Sequence, residues 1–262
     1  MWKIYPLDLG RSKFDKSDAT LRKNAGQIVD GVFLGWYLTD GIKKIVVDCG
    51  LPDLETSMKY HPYTNPTITK DQLMVNQLSA LGVDIDDIEL VLLTHLHWDH
   101  AGSCGVFAGK KARFIVSSVE LANAVNPCPA HWAAYDAPQK GITPGWMKVL
   151  PQIDTIEMAD QEILPGISMF PTPGHSVGSM SVAVETSDGT YVISGDAVAC
   201  YENLIGEPAK GLKYIPNGVY HDLGAMWNSF DVIMKKACGK INHVFPGHEM
   251  SILDHRVYPI EG

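Results

Sequence analysis

Apolar positions along the chain follow two rhythms. One is the alternation, or short unbroken run, of a β-strand. Residues 2–9 alternate, and 32–38 and 44–47 form two further runs separated by Thr39-Asp40-Gly41, where Asp-Gly favours a tight turn. Residues 90–93, 112–116, 153–158, 167–171, 180–185, 191–194 and 243–245 complete the expected strands. The other rhythm is helical. Leu73, Met74, Leu78 and Leu81 predict a helix over 71–81 closed by Gly82, and Met226, Phe230, Ile233 and Met234 predict one over 223–237. A short helix is expected over 118–125. Strand, helix and strand in that order point to a layered α/β architecture. The polar stretch 10–27 reads as a long hairpin loop or flap, and 51–69, 126–146 and 200–221 read as loops. Loops of that length inside a compact domain often carry function: 51–69, with Tyr60, His61 and Tyr63, is a candidate pocket wall, and His131 and Trp132 are the better candidates of the later loop.

Composition narrows the class. The 262 residues suit one domain spanning 1–262, and 45% hydrophobic with 19% charged residues is ordinary for a soluble globular protein. A net charge of -9 argues against nucleic acid or an anionic membrane surface as partner. No stretch has the length of a membrane helix, and the start of the chain lacks the basic-then-apolar pattern of a signal peptide. The five cysteines show no C-x-x-C spacing, so free thiols in a reducing compartment are expected and the location is read as cytoplasmic.

The chemistry lies where strands end. The run at 90–93 leads into Thr94-His95-Leu96-His97-Trp98-Asp99-His100, which sets four metal-type ligands within six residues. Three later strands end in ligands too: His175 and His248, each after Pro-Gly, and Asp196 after Gly195. Imidazole and carboxylate suit a borderline divalent cation, and a catalytic ion takes about three protein ligands while keeping a position open. Seven ligands therefore suit two ions: His95, His97 and His175 on one, and Asp99, His100 and His248 on the other. Asp196 would bridge them, since a carboxylate has two oxygens to share. Such a pair activates water, so hydrolysis is the reaction implied. Zinc is the first choice, with manganese, iron and cobalt as alternatives. Asp48, at the end of another strand, reads as a residue that orients a ligand histidine, and Trp98 as packing beneath the site. His61, His131, His221 and His255 lie outside the pattern and read as surface or packing residues.

The run T-H-L-H-W-D-H resembles the H-x-H-x-D-H signature of the metallo-β-lactamase superfamily, and His175, Asp196 and His248 match its remaining ligand positions in order. The resemblance spans nearly the whole chain. It implies an αββα sandwich, with two facing mixed sheets, helices outside and the metals at one edge. His97 in place of glutamate separates the chain from the flavodiiron-type oxidoreductases, and Asp196 separates it from many true β-lactamases. The length and the T-P-G-H-S-V-G-S turn are most similar to the N-acyl homoserine lactonase group. In that group a metal-bridging hydroxide attacks the lactone carbonyl, which implies a small-molecule ester or lactone substrate and Asp99 as proton shuttle. Members often carry a tyrosine three residues after the bridging aspartate. Ala199 stands there in this chain, so Tyr201 and Tyr220 are the candidates to replace it.

Two alternatives share the fold. A glyoxalase II-like thioesterase has the same seven ligands but usually adds a C-terminal helical region. An iron-dependent persulfide dioxygenase-type oxidoreductase typically uses one iron and fewer ligands. A non-catalytic metal-binding domain needs only four. A homodimer is compatible with the chain.

Overall fold

In the computed structural model, which describes residues 1–260, two mixed β-sheets pack face to face with helices outside them. The last two residues of the expected domain lie outside the described residues. The first sheet runs, in spatial order, β1 (Lys3–Asp15), β2 (Ile28–Thr39), β3 (Lys44–Val47), β4 (Leu90–Leu92), β5 (Arg113–Ser117) and β6 (Ile153–Ile156). It is antiparallel from β1 to β3 and parallel from β3 to β6. The second contains β7 (Gln161–Leu164), β8 (Ile167–Pro171), β9 (Met180–Thr186), β10 (Gly189–Gly195) and β11 (Val244–Pro246), in the order β11-β10-β9-β8-β7. In it, β11 runs parallel to β10 and the other pairs are antiparallel.

Alternation along the strands sorts side chains into three apolar layers, because successive residues point to opposite faces. Leu34, Trp36, Leu38, Ile45 and Val47 of the first sheet meet Val182, Val184, Ile193 and Phe245 of the second between the sheets. Tyr37, Val46 and Val91 face outward, beneath Met74 and Leu78 of α2 (Met74–Ala80) and Ala124 of α4 (Ser118–Val125). On the far side, Ala183, Val192 and Val244 pack against Met226, Phe230 and Ile233 of α6 (Leu223–Lys236). Full burial of one such side chain stabilises by about 1.5–3 kcal/mol, so these three anchor α6 more firmly than its intrinsic propensity can. Among the described residues no helix is long and apolar enough to cross a membrane, and the five cysteines are free thiols.

Five readings change. Residues 10–27 are not all flap, because β1 continues to Asp15 across a register shift between Asp8 and Arg11. Its polar composition is that of an edge strand with one face in water. Within 51–69, α1 (Leu54–Tyr60) forms between flanking prolines, with the Asp53 side chain accepting the Thr56 N–H at its start. The helix expected over 71–81 is a 3-10 turn, Lys70–Gln72, followed by α2, with Leu73 extended between them. β7 was not expected, since Gln161 and Glu162 hide its period at the sheet edge. The stretch 200–221 also contains a short helix, α5 (Tyr201–Ile205).

Candidate metal centre

Five strands deliver their following residues to one edge of the sandwich. Asp48 follows β3, the His95–His100 run follows β4, His175 follows β8, Asp196 follows β10 and His248 follows β11. The short helix α3 (Trp98–Ala101) turns Asp99 and His100 back over the strand ends. All seven ligand-type side chains predicted from the sequence converge in two groups: His95, His97 and His175, and Asp99, His100, Asp196 and His248. Within each group one donor atom per residue lies within 4.8 Å of all the others.

Four of the imidazoles are held through Nδ1, leaving Nε2 to face the cluster. His100 Nδ1 donates to Asp48 Oδ2 at 2.8 Å, His175 Nδ1 to the Val219 carbonyl at 2.9 Å, and His248 Nδ1 to the Val32 carbonyl at 2.9 Å. His95 Nδ1 lies 3.0 Å from the Thr94 hydroxyl. Asp48 itself accepts the Thr94 N–H and hydroxyl, from a left-handed backbone with φ 55°. It orients His100, as such outer carboxylates do around metal sites. His97 is turned the other way, with its Nδ1 2.8 Å from His175 Nε2.

The atoms left over have the character of metal donors. Facing the cluster, His95 Nε2, His100 Nε2 and Asp196 Oδ1 are buried without a well-formed hydrogen bond, although the last two lie 3.1 Å apart. Each such orphan costs about 1–3 kcal/mol in a folded protein, so a cluster of them calls for a ligand. Asp196 spans the two groups, with Oδ1 3.1 Å from His100 Nε2, and Oδ2 3.0 Å from His248 Nε2 and 3.5 Å from His175 Nε2. Donors bound tetrahedrally to zinc at about 2.0–2.1 Å sit about 3.3–3.4 Å apart, so these spacings fit. The residues therefore suit two divalent cations.

Charge divides the groups. Burial, and then the neighbouring histidines, push His95 and His97 well below the usual imidazole range, so both offer lone pairs. Burial opposes the cation at His248 also, but Asp196 outweighs it and raises that histidine to about 9. His100 is raised well above its usual range against the same burial, by Asp196, Asp99 and Asp48. Asp196 stays well below the carboxylate range because His248 and His100 overcome the cost of its burial. Gly247 is required here, since a Cβ on it would lie 2.0 Å from Asp196 Oδ1.

One supporting residue was not singled out from the sequence. Glu120, in the first turn of α4, is fully buried beneath the three-histidine group. Its carboxylate accepts four hydrogen bonds: from Leu96 N–H, the Tyr135 hydroxyl, the Ser176 hydroxyl and Gly178 N–H, at 2.8–3.0 Å. It thereby ties the His95–His97 segment to the residue after His175. A buried helix-start glutamate is too common a pattern for the sequence alone to flag it.

A cavity of about 150 Å³ opens over the cluster, and His97, Asp99, His175, Asp196 and His248 reach it alongside Phe33, Trp98 and Ala199. Neither expected tyrosine lines it. Tyr201 packs back against the core between the sheets from the start of α5, and Tyr220 is 38% exposed and outside the lining. His131 and Trp132 are absent from the lining too: His131 sets its ring against His221, and Trp132 packs on the outer core layer with its indole N–H on the Pro127 carbonyl. Tyr63 lines the cavity instead. His61, expected at the surface or in packing, is fully buried with its ring stacked on Trp98.

Residues 35–239 match the family model described as Metallo-beta-lactamase superfamily. An N-acyl homoserine lactonase of Bacillus thuringiensis is 27% identical over 267 residues, covering 93% of this chain and 97% of the relative. The N-acyl homoserine lactonase AiiB of Agrobacterium fabrum is 33% identical over 156 residues, covering 56% and 51%. In fold, the chain is similar to an N-acyl homoserine lactone hydrolase solved with N-hexanoyl-L-homoserine at its catalytic metal center, with a TM-score of 0.76, 24% identity and 98% coverage of both chains. It is also similar to AidC, a dizinc quorum-quenching lactonase, with a TM-score of 0.69, 15% identity, and 95% and 88% coverage.

Proposed function

Because the chain belongs to the metallo-β-lactamase superfamily, we propose that it is a dinuclear, zinc-dependent hydrolase that opens lactones or closely related esters. The observation that carries this reading is the Asp196 carboxylate, whose two oxygens reach both donor groups within 3.5 Å. Two ions bound by these residues would polarise a carbonyl and bring a water's pKa to about neutral.

The remaining work falls to the chain. The histidines held through Nδ1 keep their free nitrogens fixed, so little reorganisation accompanies reaction. Asp99 lies on the cavity wall with one oxygen 3.6 Å from His248 and 3.9 Å from His100. Its other oxygen can take the proton that the attacking water loses and return it to the ring oxygen as the ester bond breaks. Phe33, Trp98 and Ala199 give the cavity apolar surface against which an acyl chain can lie. The relatives named above supply the first substrate class to try, N-acyl homoserine lactones.

The test is turnover by the metal-loaded protein of a lactone panel and a thioester panel under one set of conditions. Preferential opening of lactones is expected. Preference for thioesters would overturn the reading in favour of a glyoxalase II-like enzyme. One iron per chain with oxygen uptake would overturn it in favour of an oxidoreductase.

A further inference from the structure

Beside the donor groups lies a second polar chain that the reaction above does not use. Asp136 Oδ1 is 2.7 Å from His61 Nε2, and His61 Nδ1 is 3.3 Å from the Tyr63 hydroxyl. Asp136 and His61 are both buried, and Tyr63 lines the cavity with Asp99 and Ala199. The His61 ring lies on Trp98 with centroids 3.8 Å apart and planes 9° from parallel, which fixes its orientation. Asp136 holds a left-handed backbone with φ 47°, a conformation that costs free energy and tends to persist where a side chain must be aimed. Carboxylate, imidazole and phenol thus run in line from the interior to the substrate cavity.

The direction of these hydrogen bonds follows from the groups. A carboxylate only accepts, so the proton shared by Asp136 and His61 belongs to Nε2. With Nδ1 left bare, only the phenol can supply a proton to that contact. The Tyr63 O–H then points back toward His61 and leaves its oxygen lone pairs for the cavity that the residue lines. A phenol keeps its proton at neutral pH.

We propose that Tyr63 is a specificity-determining hydrogen-bond acceptor for a substrate N–H beside the lactone ring, held in that sense by Asp136 and His61. The assignment rests on the lactonase reading and sharpens it: N-acylamino lactones are favoured over lactones that lack the amide. It also separates Tyr63 from a carbonyl-polarising role, because its one proton is already committed to His61. The tyrosine is 65% exposed, so water competes for the contact and the preference is modest. An effect of about tenfold is expected, the low end for losing a partner to a buried amide.

The experiment compares wild type and Tyr63→Phe, both metal-loaded, on an N-acyl homoserine lactone and on an alkyl lactone of matched size without the amide. The variant should lose about tenfold in kcat/KM on the amide substrate, mainly through KM, and clearly less on the plain lactone. Nitrogen-15 NMR of the wild type should show His61 protonated at Nε2 and bare at Nδ1. Equal losses on both substrates, no loss on either, or a proton on His61 Nδ1 would overturn the assignment and leave the lactonase reading standing. A wild type that opens neither lactone would overturn both.

Discussion

Glu120→Gln keeps a side chain's shape and removes its charge at the one carboxylate that binds the two halves of the three-histidine group together. Oε1 accepts from Leu96 N–H at 3.0 Å and the Tyr135 hydroxyl at 2.9 Å, and Oε2 from the Ser176 hydroxyl at 2.8 Å and Gly178 N–H at 3.0 Å. The two hydroxyls can rotate to accept instead, but a backbone N–H cannot. Since each oxygen serves one backbone N–H, either orientation of the glutamine amide sets its NH₂ against a main-chain donor. One buried N–H then loses its acceptor, at about 1–3 kcal/mol, and the other contacts lose their charge assistance, for a total of about 2–4 kcal/mol. That is a large share of the roughly 5–15 kcal/mol that stabilises a typical domain. Urea unfolding of the metal-free protein should show a lower midpoint with an unchanged slope. Because Leu96 lies between His95 and His97, and Ser176 follows His175, metal affinity should fall about 10–100-fold at the three-histidine site and little at the other. An unchanged midpoint, or equal weakening of both sites, would mean that Glu120 does not hold the three-histidine group together.

Two further perturbations probe the shared carboxylate and the charge division. Gly247→Ala places a methyl 2.0 Å from Asp196 Oδ1 and must push the bridging carboxylate aside; retained metal after dialysis should drop at least about tenfold in affinity, the scale of losing an orienting contact. Metal binding at pH 7 should release protons from the Asp99, His100, Asp196 and His248 group, because His248, raised to about 9, is protonated there without metal. His95 and His97 arrive already unprotonated and should release none. The sign is set by the raised value: release is full well below about pH 9 and vanishes as the pH climbs through it. Calorimetry in buffers of different ionisation enthalpy reads the count.

The seven ligand-type side chains that the fold brings together were legible in the sequence because their signals are local. Strand runs ending in His or Asp, two of them after Pro-Gly, need no knowledge of which strands are neighbours. The layered fold was legible for a similar reason, since alternation at Val182 to Val184 or Ile45 to Val47 already separates two faces. What escaped depends on contacts distant in sequence. Glu120 reaches Ser176 and Gly178 across the fold, and His61 finds Asp136 75 positions further along the chain. No spacing rule joins such pairs. Tyr201 and Tyr220 were chosen for nearness in sequence to Asp196, whereas the tyrosine that lines the cavity is Tyr63, from the 51–69 stretch expected to wall a pocket. The edge strands β1 and β7 were obscured by their own polar faces.

A pair of metal ions on one shared aspartate is open to anomalous scattering from crystals of the metal-loaded protein. Two peaks are predicted, one among His95, His97 and His175 and one among Asp99, His100 and His248, with Asp196 between them. A single peak, or a second one held by other residues, would contradict the account.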